Sequence, residues 1–215
     1  LNRDDKVPYS IVVKEGDADD ILLYESKLLK VDMIVIGAHR KSKKNFLGAT
    51  AEKVAHQSHL PVLIVKNSVK DPYQNIVAPT DFQTQSKQSI LFAKEHFKDA
   101  EINISFAFAQ ISDYSVDFYN LETEREEYKE AVRAKVEQDV EAFQQSVGMD
   151  NAEVIEGFSP IGEMLLETAI RHTNDLVILG THGVKVSDTV LYGSTASYLM
   201  KKAPSDVLVY VPLEK

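Results

Sequence analysis

The 215-residue sequence contains no cysteine, so disulfides, thiol nucleophiles and thiolate metal sites are excluded from the outset. No apolar run approaches the ~20 residues that a membrane-spanning helix needs, and no membrane partner is expected. Positive charge is scarce: 24 Lys and Arg stand against 33 Asp and Glu, a formal net charge of −9. A general phosphate-backbone binder needs a cationic surface to release counterions, so nucleic acid is not an expected partner. A Walker lysine is also missing, because Lys185 lies in a glycine-containing stretch without the P-loop spacing. The chain starts at Leu1 with neither a signal-type hydrophobic region nor a cleavage pattern, which reads as a chain cut or incomplete. What is there is ordinary for a globular chain with a full core, 44% hydrophobic and 27% charged. The expected location is the cytoplasm.

An internal repeat organises the chain. Asp32-Met33-Ile34-Val35-Ile36-Gly37-Ala38-His39 matches Asp175-Leu176-Val177-Ile178-Leu179-Gly180-Thr181-His182 at an offset of 143. Gly48-Ala49-Thr50 matches Gly193-Ser194-Thr195, and Val62 to Val65 matches Val207 to Tyr210, both at an offset of 145. Ile21-Leu22-Leu23 likewise falls on Met164-Leu165-Leu166. The second copy has a long preface, roughly residues 73–150, that the first lacks. Asn, Ser, Asp and Pro between Asn67 and Tyr73 mark the boundary. Residues 1–70 are thus expected to be the back half of a first unit, and 71–215 a complete second one.

Within the second unit, strands and helices alternate. Strands are predicted at Asn75 to Pro79, Ile102 to Ala109, Val154 to Ile155, Leu176 to Leu179 and Val207 to Val211. Helices are predicted at Ser86 to Phe97, Glu122 to Val147, Ile161 to His172 and Ser194 to Lys202. In the long helix Val132, Val136, Val140, Phe143 and Val147 form one apolar stripe. Alternation around near-continuous apolar strands predicts a doubly wound α/β fold, a parallel sheet covered on both faces.

The sharpest local signal is Gly180-Thr181-His182-Gly183, nine residues, then Gly193-Ser194. It follows a buried strand and opens a helix, where ligands of open α/β sheets sit. Unpaired amides and a partial positive charge there suit phosphate. Gly180, Gly183 and Gly193 would permit positive φ and close backbone approach; Ser194 and Thr195 would offer hydroxyls and first-turn amides, or cap the helix. The same glycines also suit a plain tight strand-to-helix connection. Asp81, just past the first strand in Ala78-Pro79-Thr80-Asp81, is either a holder of a ribose hydroxyl or phosphate-bound metal, or a turn residue. His182 has no neighbouring carboxylate or nucleophile, and no residue is assigned a catalytic role. His56 and His59 lack a third ligand, so no metal site is expected there. Arg40 to Lys44 and the charged stretch Glu122 to Glu130 read as solvated surface.

These residues resemble the universal stress protein family. Gly180, Gly183, Gly193 and Ser194 match its nucleotide-binding pattern of Gly, two residues, Gly, nine residues, Gly, Ser or Thr. Ile76-Val77-Ala78-Pro79-Thr80-Asp81 matches its first-strand signature, an apolar run followed by Pro-x-Asp. The resemblance implies a flavodoxin-like five-stranded parallel sheet of order 3-2-1-4-5, in tandem, with the first copy incomplete. It also implies a homodimer or an intramolecular pseudo-dimer joined through fifth strands. Carried over by position, Pro79, Thr80 and Asp81 would line the adenosine side, and Phe108 would pack against adenine. Leu179 and Gly180 would flank the base and ribose, while Gly183, Gly193, Ser194 and Thr195 would hold phosphates; His182, in the same loop, is also a cofactor-binding candidate.

The implied ligand is ATP, with magnesium as its companion ion, bound by a cytosolic stress-response module acting as a regulator. The alternatives are a nucleotide-independent scaffold and a slow metal-dependent ATPase. The first unit departs from the pattern: Arg40 replaces the second glycine, seven residues separate it from Gly48, and Ala49 replaces Ser. No nucleotide is expected in that half, and ATP bound between Gly37 and Thr50 would refute this. That unit is expected to supply strands 3, 4 and 5 only. A missing N-terminal fragment or partner chain would then complete it, because strand 3 has no neighbour to satisfy its backbone.

Overall fold

A computed structural model describes residues 8–38, 47–68, 71–110, 122–180, 185–186, 189–190 and 193–212. The β-branched run Asn75–Pro79 (β3) is buried at Ile76, Val77 and Ala78, as befits a strand covered on both faces. It pairs in parallel with Glu101–Ala109 (β4) on one side and Leu176–Gly180 (β6) on the other. Ala152–Gly157 (β5) lies beyond β4, and Asp206–Tyr210 (β9) beyond β6, both parallel. This is the flavodoxin-like order 3-2-1-4-5 within the second unit. Ile34–Gly37 (β1) and Val62–Val65 (β2) extend the sheet to seven strands, in the order β1-β2-β9-β6-β3-β4-β5. β1 and β2 are parallel, but β2 runs antiparallel to β9, so the two fifth strands of the repeat pair with each other inside one chain.

Helices cover the sheet unevenly. Ala18–Leu28 (α1), Ala49–Gln57 (α2), Ile161–Arg171 (α5) and Ser194–Lys202 (α6) are shared between the units, and buried side chains of α2, α5 and α6 enclose one core with the strands. Thr84–His96 (α3) and Glu122–Val147 (α4) pack on the opposite core, α4 through Phe143 and Val147 of the predicted stripe. Both of these belong to the second unit. Among the described residues, one face of the first unit is therefore uncovered, and the repeat shows the contrast. On that face Val35 is 61% exposed whereas its equivalent Ile178 is fully buried; on the other face Leu22 is 38% exposed and its equivalent Leu165 only 3%. The expected third strand of the first unit does not form. Residues 8–15 pair with no strand among the described residues, and Tyr9, Ile11, Val12 and Val13 are exposed.

The linker after β2 is held by side chains at the starts of β6 and β9. Asp206 Oδ1 accepts the backbone N–H groups of Lys66 (2.7 Å) and Asn67 (3.0 Å), and Oδ2 accepts the Tyr73 hydroxyl (2.7 Å). Lys66 Nζ donates to the carbonyls of Met200 (2.8 Å) and Ala203 (2.6 Å). Asp175 accepts the N–H groups of Gln74 and Asn75. Burial lowers the Lys66 pKa from 10.5 to about 8, against the opposing pull of Asp206. Burial, then the bond to Asp206, raises that of the Tyr73 phenol.

These shifts give a pH dependence of stability. Between about pH 8 and 10.5 the unfolded lysine holds a proton that the folded one has released, so stability should rise with pH. Above the ordinary phenol value of 10.0, the folded Tyr73 keeps a proton that the unfolded chain loses, and stability should fall. Urea unfolding is expected to show a gain of about 1–3 kcal/mol from pH 8 to 10 that Lys66→Met removes. A flat profile in the parent chain would contradict it.

Candidate functional site

The parallel strands of the second unit all end on one side, and a cleft of about 420 Å³ opens there. Every candidate residue that the structure describes lines it: Pro79, Thr80, Asp81, Phe108, Leu179, Gly180, Gly193, Ser194 and Thr195. His182 and Gly183 lie outside the described residues. Sequence reading missed several walls of the cleft, among them Gln85, Ser86, Phe106, Ile161 and Leu165. Period-two alternation from Phe108 points to Phe106, whereas Gln85 and Ser86 enter through the fold of the following turn.

That turn is built by side chains. β3 ends at Pro79, and the Thr80 hydroxyl accepts the Phe82 N–H at 3.0 Å and lies 2.9 Å from the Ser86 hydroxyl. Asp81 Oδ1 accepts the Gln83 N–H (3.0 Å) and the Ser86 hydroxyl (2.8 Å). Asp81 therefore has the turn role while also facing the cleft. Phe82 adopts φ 62°, a left-handed conformation unusual for a bulky residue. Its ring stacks on Phe106 with centroids 4.2 Å apart and meets Phe143 at 5.3 Å, contacts that hold the bend. Phe106 and Phe108 lie on one face of β4, 6.2 Å apart, as an aromatic wall.

The opposite wall is the start of α6. Its N-cap is Gly193, with no side-chain capping bond, so Ser194 does not cap the helix. The first-turn N–H groups have no intrahelical acceptor and stand at the cleft with the positive end of the helix dipole. The expected reason for the glycines is corrected here. Gly193 has φ −60°, and among the described glycines only Gly16 and Gly148 have positive φ. Gly180 is required by packing instead: a Cβ there would lie 2.8 Å from the backbone of Gln85 and Ser86. At the equivalent Gly37 a Cβ would meet nothing within 4 Å, since among the described residues no helix covers that side of the first unit.

Part of the loop between Gly180 and Gly193 forms a small antiparallel hairpin that sequence reading did not anticipate. Lys185–Val186 (β7) pairs with Thr189–Val190 (β8), and β8 packs against α2 of the first unit. In the first unit, the Gly48 N–H donates to the Ala38 carbonyl at 2.6 Å and ties the ends of the corresponding loop together. The basic stretch Arg40 to Lys44 falls outside the described residues. His56 sits 3.9 Å from Glu52, and among the described residues no group of three or more His, Asp or Glu is placed to hold a metal. Among them, too, no helix is long and apolar enough to cross a membrane.

Comparison with known proteins agrees with this architecture. The model of the universal stress protein family matches residues 1–66 and 72–211. A candidate universal stress protein of Pseudomonas aeruginosa UCBPP-PA14 is similar in structure, with a TM-score of 0.72 at 18% identity; the match covers 93% of this chain and 70% of that one. A universal stress protein from Archaeoglobus fulgidus DSM 4304 superposes with a TM-score of 0.61 at 21% identity, over the same shares of the two chains. No curated protein matches the sequence. The family match spans nearly the whole chain, the sheet order is the one its motifs imply, and the chain belongs to the universal stress protein family.

Proposed function

We propose that the second unit binds an adenine nucleotide, ATP with magnesium, in the cleft between β3, β4, β6 and the start of α6, and acts as a cytoplasmic regulatory module. The single observation that carries this reading is convergence. Residues from two motifs separated by about a hundred positions line one cleft, with apolar aromatic surface at Phe106 and Phe108 and uncapped helix amides at Ser194 and Thr195. A planar base suits the first and an anionic phosphate suits the second. Pro79, Thr80 and Asp81 would line the adenosine side and Leu179 and Gly180 the base and ribose, with Gly183, Gly193, Ser194 and Thr195 toward the phosphates and His182 in the same loop. Titration calorimetry with ATP and magnesium is expected to show saturable binding by high micromolar ligand. Folded protein giving no heat would favour the nucleotide-independent scaffold instead.

The same reading divides the chain at residue 70 and leaves the first unit to be completed by a preceding fragment or a partner chain. Such a segment would add a parallel strand to β1 and a helix over Val35. The exposure of Val35 and Leu22, against the burial of Ile178 and Leu165, supports this. Native mass spectrometry of the protein from its natural source should detect the companion. A bare chain whose Val35 face stays solvent-accessible would overturn it.

A further inference from the structure

The two fifth strands meet about a pseudo-twofold axis. Leu63 and Leu208, equivalent under the 145-residue offset, face each other, flanked by the pairs Val62 with Val209 and Ile64 with Val207. Backbone pairing of this kind is self-complementary. By its backbone alone, β9 would accept a second copy of itself as readily as β2.

The residues flanking the strands are not self-complementary. Asp206 is only 4% exposed, and two of its donors, the N–H groups of Lys66 and Asn67, come from the end of the first unit. The Lys66 ammonium lies on the carbonyls that end α6, and Asn67 Nδ2 donates to the Pro204 carbonyl at 2.9 Å. Under the repeat offset, Lys66 corresponds to Val211, Asn67 to Pro212 and Asp206 to Pro61. A second unit pairing with its own copy would bring an apolar Val211 where the ammonium stands. It would also bring Pro212, which has no N–H, where Asn67 donates. Both copies of Asp206 would be buried with fewer donors and no cation nearby, which is strongly unfavourable. A first unit paired with its own copy would set Pro61 where Lys66 and Asn67 require a carboxylate.

We propose that Lys66, Asn67 and Asp206 make this interface heterotypic: the fifth strand of the second unit accepts the first unit and rejects a second copy of itself. Discrimination comes from what the wrong partner leaves unpaired. The lock sits at the amino end of β9, away from the cleft, and stands whether or not a nucleotide binds there.

The absence of cysteine makes this directly testable. Directly opposed residues of antiparallel strands, with Cα atoms roughly 4.5–5.5 Å apart, suit a disulfide. In the full chain, L63C/L208C should oxidise to an intramolecular disulfide. L208C alone places one thiol on the axis and should remain monomeric on non-reducing gels. With K66V and D206V added to L208C, disulfide-linked dimer should accumulate at least about tenfold faster, as expected on removing a charge whose burial barred self-pairing. Should that variant fail to fold by circular dichroism, D206N/L208C, which removes the buried charge but keeps a carbonyl acceptor for the N–H groups, carries the same expectation. Dimerisation of L208C as fast as the charge-deleted variant would overturn the proposal. So would a charge-deleted variant that stays monomeric while its L63C/L208C counterpart still crosslinks internally.

Discussion

Gly180→Ala is expected to destabilise the protein by about 1–3 kcal/mol, or more if the first turn of α3 cannot shift, while Gly37→Ala changes stability by no more than about 0.5 kcal/mol. The two glycines are equivalent in the repeat and end equivalent strands, yet their surroundings differ. A methyl group at Gly180 would stand 2.8 Å from backbone atoms of Gln85 and Ser86, which no side-chain rotamer change can relieve. Moving that backbone would also disturb the bonds from Ser86 and Gln83 to Asp81, and with them one wall of the cleft. Nucleotide affinity should therefore fall together with stability. At Gly37 the methyl group enters open space. Denaturant melts of the two variants, with ATP titrations of each, check the contrast. Equal effects at the two positions would mean that the packing of α3 against β6 is not what selects glycine.

Ser194→Glu should separate folding from binding. Glutamate in the first turn of α6 interacts favourably with the helix dipole, so stability should hold or rise by about 0.3–1 kcal/mol. The same carboxylate would stand where the nucleotide phosphates are proposed to lie. Two like charges about 4 Å apart at an effective dielectric near 20 repel by about 4 kcal/mol, so affinity for ATP should fall by at least about a hundredfold. Adenosine, which lacks phosphate, should lose little. A parallel loss for adenosine and ATP would place the phosphates elsewhere.

Much of the architecture is legible in local patterns. The strand at Asn75 to Pro79 and the long helix ending at Val147 stand within a residue or two of their predicted bounds. Buried strands need continuous apolar runs and amphipathic helices need a stripe, and both signals are local. Convergence of the Pro-Thr-Asp turn and the Gly-Ser helix start on one cleft also follows from the motifs, since parallel strands end on the same side. Legibility stopped where backbone elements approach one another. Positive φ is a sensible reason for glycine in a loop, yet Gly180 is selected by the neighbouring helix and Gly193 has an ordinary extended backbone. The left-handed Phe82 carries no sequence signal at all, because its conformation is held by Phe106 and Phe143 from distant elements.

Order along the chain was enough to specify the family, the alternation of strands and helices, and the residues that meet at the cleft, because periodicity and motif spacing are properties of short segments. It could not say which of the two implied pairings, between copies or within one chain, the fifth strands would make, or that Asp206 would gather its donors from both ends of the linker. Those outcomes depend on which backbone edges and buried charges find partners in three dimensions, and such partners lie tens to more than a hundred residues away.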